Sequence, residues 1–308
     1  MQDGRRNVLK AFAAIAAVGG SFENRPQRVQ ASDVPAAENT DRSTVRDRLW
    51  IWGQAAGSFN GPEICGKTCT SRMTPAEGAF YLGVRNMIFI VPEPYDQNVG
   101  SFDSYAISFR PLKSVVWSIP TFAGGNVHQH DVELVRQLAQ KFPNVVGLLM
   151  DDFFRNGLDG GRVGALTPKE LAYLKTHLSV NARKLDTWVT VYRHDLRHDV
   201  SEYLKEVDVM NYWTWVAKDL DNLEEGFAQA EQAAPLARKV LGCYMWDFGT
   251  GNPMPISLMQ KQCDLGLQWL RKGRIAGMIF LVSAICDMNL EAVEWTRNWV
   301  RQVGDEKL

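Results

Sequence analysis

Two adjacent carboxylates, Asp151 and Asp152, close the apolar run Gly147-Leu148-Leu149-Met150 and are followed by Phe153 and Phe154. Paired acids suit chemistry in which one group gives a proton while another takes one or attacks. Chemically capable side chains recur after other short apolar runs of the chain. They are Trp52 and Gln54, Glu93, Ser118, Tyr192 with His194 and Asp195, Asn211 with Tyr212 and Trp213, Trp246 with Asp247, and Ser283 with Asp287. Carboxylates supply acid–base or nucleophilic roles, the amide and phenols bind hydroxyl groups, and flat indoles stack on the apolar faces of sugar rings. For any single aromatic the competing role is core filling.

The elements that must position these groups follow a regular rhythm. Apolar strands are predicted at Leu49–Trp52, Met87–Val91, Ser114–Ile119, Val145–Met150, Thr187–Tyr192, Val207–Tyr212, Val240–Met245 and Gly277–Val282. Amphipathic helices fall between them. Two open with the same signature, Thr74-Pro75-Ala76-Glu77 and Thr167-Pro168-Lys169-Glu170, which combine an N-cap residue, a proline in the first turn and an acid three residues after the cap. Near-continuous apolar strands alternating with helices predict a parallel sheet covered on its outside, and eight units predict closure into a single (β/α)8 TIM barrel. An open doubly wound sheet would need a G-x-G-x-x-G turn, and Gly57 and Gly61 do not make one. In a closed barrel the C-terminal strand ends carry the site.

Strand alternation limits the acid pair. If the fourth strand ran on through both residues, one of Asp151 and Asp152 would face the barrel axis and the other the helical layer or a loop. The partner acid is therefore expected from another strand, and Asp247 is the choice. Its competing role is an Asx-turn before Gly249. The expected catalytic set is Asp151, Asp152 and Asp247. The expected substrate-binding set is Trp52, Glu93, Tyr192, His194, Asn211, Tyr212, Trp213, Trp246 and Asp287. No motif calls for a bound metal or a cofactor.

At 308 residues and 45% hydrophobic content the chain can bury a barrel-sized core. Its net charge of −1, without a basic stripe, argues against a nucleic-acid partner. Arg5-Arg6-Asn7-Val8-Leu9-Lys10 and the apolar run Ala11–Gly20 resemble a bacterial twin-arginine signal, and the run is too short for a permanent membrane anchor. This resemblance implies folding inside the cytoplasm and work in the periplasm or outside the cell. The domain reading is a signal over 1–31, a linker over 32–46, the barrel over 47–304 and a tail over 305–308. Cys65 and Cys69, close together in a Gly- and Thr-rich loop, are the expected disulfide, and Cys243, Cys263 and Cys286 are expected as buried thiols. Nothing in the sequence reports an oligomeric state.

The segment Gly147–Asp152 with its following aromatics resembles the fourth-strand segment of chitinase-like glycoside hydrolases of family 18. Val209-Met210-Asn211-Tyr212 is similar to that family's sixth-strand segment. With the glycines aligned, Asp151 matches the family's last Asp, Phe153 stands where the family has its catalytic Glu, and Leu149 stands at an earlier family Asp. The resemblance implies a divergent glycoside-hydrolase barrel with a carbohydrate substrate, Asp151 or Asp152 as acid, base or nucleophile, and Asn211 and Tyr212 as hydroxyl-binding residues. Two alternatives stand beside it. A metal-dependent hydrolase would use His128, His130, Asp131, His194 and Asp195, because imidazole and carboxylate suit zinc or manganese. A non-catalytic carbohydrate-binding barrel would keep the aromatic rim without the acid.

Overall fold

The computed structural model describes residues 43–58, 60–61, 69–91, 102–119, 127, 129–154 and 163–308. Eight parallel strands close a barrel: β1 (Leu49–Gly53), β2 (Asn86–Phe89), β3 (Ser114–Ile119), β4 (Val145–Met150), β5 (Asp186–Tyr192), β6 (Val209–Trp213), β7 (Arg238–Tyr244) and β8 (Gly277–Leu281). Each strand pairs with its sequence neighbours, and β1 closes the ring on β8. The intervening helices are α1 (Pro75–Leu82), α2 (Phe102–Ser108), α3 (Gln129–Lys141), α4 (Pro168–His177), α5 (Ser201–Leu204), α6 (Leu223–Ala233) and α7 (Ile256–Arg271), and α8 (Glu291–Val303) follows the last strand. Strands β1, β2, β6 and β8 are buried along their whole length, as strands covered by helices outside and side chains inside must be.

Local chemistry sets the helix starts. Thr74 accepts a hydrogen bond from the Glu77 amide while the Glu77 carboxylate accepts from the Thr74 amide, and Thr167 and Glu170 repeat the arrangement at α4. Gly83, with φ of 73°, ends α1 in the left-handed conformation that suits glycine.

The barrel interior is filled by indoles packed against glycines. Trp50 of β1 meets Trp188 of β5 at 5.2 Å between ring centroids, and Trp52 meets Trp213 of β6 edge-on at 5.4 Å. Neither strand pair is adjacent in the sheet, so both contacts cross the interior. Room for them comes from Gly147 of β4 and Gly277 of β8, where a Cβ would stand 3.0 Å from the Trp188 and Trp50 indole nitrogens respectively. At Gly242 of β7 a Cβ would overlap the Trp213 ring.

The segments just before β1 and after α8 meet. Thr44 pairs antiparallel with Lys307, the Leu308 amide donates to the Ser43 carbonyl at 2.9 Å, and Arg46 bonds Asp305 at 3.0 Å. Residues 43–46 and 305–308 thus supply each other's backbone partners. The segment resembling a twin-arginine signal and Cys65 lie outside the described residues. Cys69 is buried with Sγ 3.0 Å from Met288 Sδ, and Cys243, Cys263 and Cys286 are buried thiols. Among the described residues no helix is long and apolar enough to cross a membrane.

Candidate active site

Asp151 and Asp152 stand at the C-terminal end of β4, and the strand stops before them, at Met150. Asp152 adopts φ of 45°, a left-handed conformation that aspartate tolerates better than most residues, and its amide donates to Asp151 Oδ1 at 3.0 Å. This turn cancels the alternation that would have separated the two acids. Asp151 keeps the inward direction of Gly147 and Leu149, four and two residues before it. Asp152 reaches the same mouth, where the Tyr192 hydroxyl of β5 donates to its Oδ1 at 2.8 Å.

Below the acids runs a hydrogen-bonded floor. The Asn211 amide nitrogen donates to the Val189 carbonyl at 3.0 Å, which orients the side chain. Its Oδ1 then accepts from the Trp213 indole at 2.6 Å and from the Thr190 hydroxyl at 3.1 Å. The Thr190 hydroxyl also hydrogen-bonds Asp151, and this bond lowers the acid's pKa. Burial raises the Asp151 pKa most, the neighbouring Asp152 adds to the rise, and the acid is pushed up to about 7.

Two phenols wall the acids. Tyr244, buried at the end of β7, hydrogen-bonds Tyr192, and both have pKa values held well above the phenol range by burial first. Asp195 is buried behind them. Its Oδ2 accepts from the Tyr192 amide at 2.7 Å, and its pKa is raised to about 7, mainly by burial. His194 stacks on Tyr192 at 5.2 Å and 5° between ring planes, with its pKa lowered by burial and by Arg197. Trp215, 43% exposed, stands edge-on to Tyr192 and Tyr244 and is the open aromatic face of the mouth.

The other expected residues have different surroundings. Trp52 and Trp213 are buried inside the barrel beneath the mouth, and Asn211 supports the floor. Tyr212, expected to bind hydroxyls, points the other way: its ring packs on Phe227 and its hydroxyl lies against Gly226, both of α6. A residue adjacent to the inward Asn211 must face the helical layer. Asp247, expected as the partner acid, accepts from the Ala217 amide at 3.1 Å and the Thr250 hydroxyl at 2.6 Å. It pins a loop, the role its position before Gly249 left open. Trp246 is buried in a two-residue pairing with Asn252–Pro253. Asp287 is exposed and accepts from the Arg72 amide at 3.1 Å. Glu93 lies outside the described residues. Phe153, at the position of the family-18 acid, is buried against Phe154 and Tyr203.

Thr190, Tyr244 and Trp215 are the site residues that sequence reasoning missed. Tyr244 carried a signal, being two residues from Gly242 on the same face of β7. For the metal alternative, His130 is exposed at the start of α3 and His128 lies outside the described residues. Among the described residues no three His, Cys, Asp or Glu side chains group as metal ligands.

No family model and no curated protein matches the sequence. Solved structures do share the fold. A protein of Bacteroides thetaiotaomicron assigned as an alpha-L-fucosidase aligns at 11% identity over 91% of this chain and 100% of its own, with a TM-score of 0.53. A GH99 endo-alpha-mannosidase from the same species aligns at 10% identity over 78% of this chain and 84% of its own, with a TM-score of 0.50. An arabinofuranosidase aligns at 12% identity over 78% of this chain and 65% of its own, with a TM-score of 0.44. At such identities the likeness is one of fold: a single (β/α)8 barrel.

Proposed function

We propose that this chain is a glycoside hydrolase in which Asp151 is the proton donor and Asp152 the second carboxylate. The observation that carries the reading is a buried acid, Asp151, held protonated to near neutral pH beside a second carboxylate at a barrel's strand ends. Glycosidic cleavage asks for one acid to protonate the leaving oxygen and a second carboxylate to act as base or nucleophile. Tyr192 holds Asp152 by its hydroxyl, and Asp195 fixes the Tyr192 backbone. Trp215 offers the stacking face for a sugar ring. Solved structures of the same fold that carry glycosidase names support the class without assigning a substrate. The segment resembling a twin-arginine signal supports work in the periplasm or outside the cell.

The test is release of the aglycone from a panel of aryl glycosides, measured on the wild type, Asp151→Asn and Asp152→Asn. The expected result is hydrolysis of at least one glycoside by the wild type and a loss of about a hundredfold or more in each variant. Retention of the wild-type rate by both variants would refute the assignment. Glycan binding without cleavage by the wild type would establish the non-catalytic barrel instead.

A further inference from the structure

Beside Tyr192 lies a cavity of about 560 Å³, between the loops that follow β5 and β6 and helix α6. Arg193, His194, Arg197, Trp215, Asp219 and Asn222 line it. Arg193 and Arg197 supply two guanidinium groups, one half-buried and one exposed, with no ion pair or side-chain hydrogen bond to a described residue. Several other arginines are paired with acids: Arg238 with Asp186, Arg274 with Glu224 and Glu231, Arg46 with Asp305. Asp219 is the one acid lining this cavity, so its two permanent cations exceed its permanent anions. Two of its lining residues, His194 and Trp215, also pack on Tyr192 of the candidate active site. His194 stacks on Tyr192, whose hydroxyl holds Asp152, and Trp215 borders both spaces.

We propose that this cavity is a specificity subsite for an anionic substituent, a uronate carboxylate or a sulfate ester, so that the glycan cleaved is an acidic one. The inference rests on the glycosidase reading for its substrate. A sugar stacked on Trp215 would direct a substituent toward Arg193 and Arg197, and a guanidinium matches the oxygens of a carboxylate or a sulfate by paired N–H donors. Asn222 adds an amide that can bond the same oxygens. A neutral glycan would leave both guanidinium groups facing an apolar or hydroxyl surface, without the charge-assisted hydrogen bonds they are placed to make.

The experiment is NMR titration of the full-length, 15N-labelled protein with sodium sulfate, sodium glucuronate and glucose, ionic strength held constant with sodium chloride. The readouts are the Nε–H signals of Arg193 and Arg197 and the Trp215 indole N–H, assigned from Arg→Lys and Trp→Phe variants. The expected result is saturable shifts with sulfate or glucuronate and none at the arginines with glucose. Saturation by sulfate alone assigns a sulfate ester, and saturation by glucuronate alone assigns a uronate. In an Arg193→Gln, Arg197→Gln double variant the Trp215 shift should need about tenfold more anion or disappear. Absence of a saturable shift with either anion, or an unchanged Trp215 titration in the double variant, overturns the proposal. If that occurs while Asp151→Asn still abolishes glycoside hydrolysis, the enzyme acts on neutral glycans and only the subsite is lost. If the anions bind but no glycoside is cleaved, the subsite stands and the catalytic reading falls.

Discussion

Replacing Asp151 by Asn should make the protein more stable at alkaline pH and leave it nearly unchanged in acid. In the fold Asp151 is pushed up to about 7 from an ordinary 3.8, by burial first and by Asp152 second. The unfolded chain releases this proton near 3.8, so between 3.8 and about 7 the folded state holds more protons than the unfolded state, and stability falls as pH rises. The full difference is about three pH units at ~1.4 kcal/mol each, or about 4 kcal/mol, shared between two carboxyls whose charges act on each other. An amide has the shape of the protonated acid and never ionises. Its side chain can keep a hydrogen bond with the Thr190 hydroxyl. Urea unfolding of wild type and Asp151→Asn from about pH 4 to about pH 8 measures the difference. It should start near zero and grow in favour of the variant, levelling above pH 7 at no more than about 4 kcal/mol. Asp195, also raised to about 7, is present in both proteins and drops out of the comparison. A difference independent of pH, or one that grows in favour of the wild type, would mean that the folded protein welcomes the ionised Asp151. The acid would then have no proton to give near neutrality, and its catalytic role would fail with it.

Two further substitutions separate positions that shape the fold from positions that do the chemistry. Gly242→Ala places a methyl group on the Trp213 ring and should destabilise by about 1–3 kcal/mol or more, read as a lowered Tm; an unchanged Tm would show that the indole can move aside. Asp247→Ala removes the acceptor of the Ala217 amide and the Thr250 hydroxyl, and should lower stability by about 1–3 kcal/mol while kcat per folded molecule stays within about twofold. A loss of kcat comparable to that in Asp151→Asn would return Asp247 to the catalytic set.

The barrel was legible because its strands announce themselves twice, as apolar runs and as the punctuation between capped helices. Strands β3 and β4 match the sequence reading residue for residue, and the others differ by one to two residues at one or both ends. The direction of each side chain was harder to read, for a physical reason. A strand covered on both faces is apolar on both, so hydropathy carries no parity. Asn211 and Tyr212 are adjacent, polar and buried, yet one lies on the interior floor and the other under α6. Strand ends decide the rest. β7 stops at Tyr244, so the inward phenol is Tyr244, and Trp246 with Asp247 belongs to a separate pairing beyond the rim.

The same cause explains the acid pair. Alternation separates neighbouring side chains only while φ stays extended, and at Asp152 it does not. Asp is among the few residues that reach the left-handed region at small cost, so Asp-Asp after an apolar run was compatible with two geometries from the start. One sends the second acid away and demands a partner from another strand; the other brings both to one mouth. What distinguishes them lies outside the segment: Tyr192, two strand positions beyond Thr190 on the same face of β5, meets Asp152 with its hydroxyl while Thr190 meets Asp151. A β5 ladder of alternating polar groups, Thr190 and Tyr192, beside a strand ending in two acids is thus the pattern that marks a shared site. It becomes visible only when β4 and β5 are known to be neighbours.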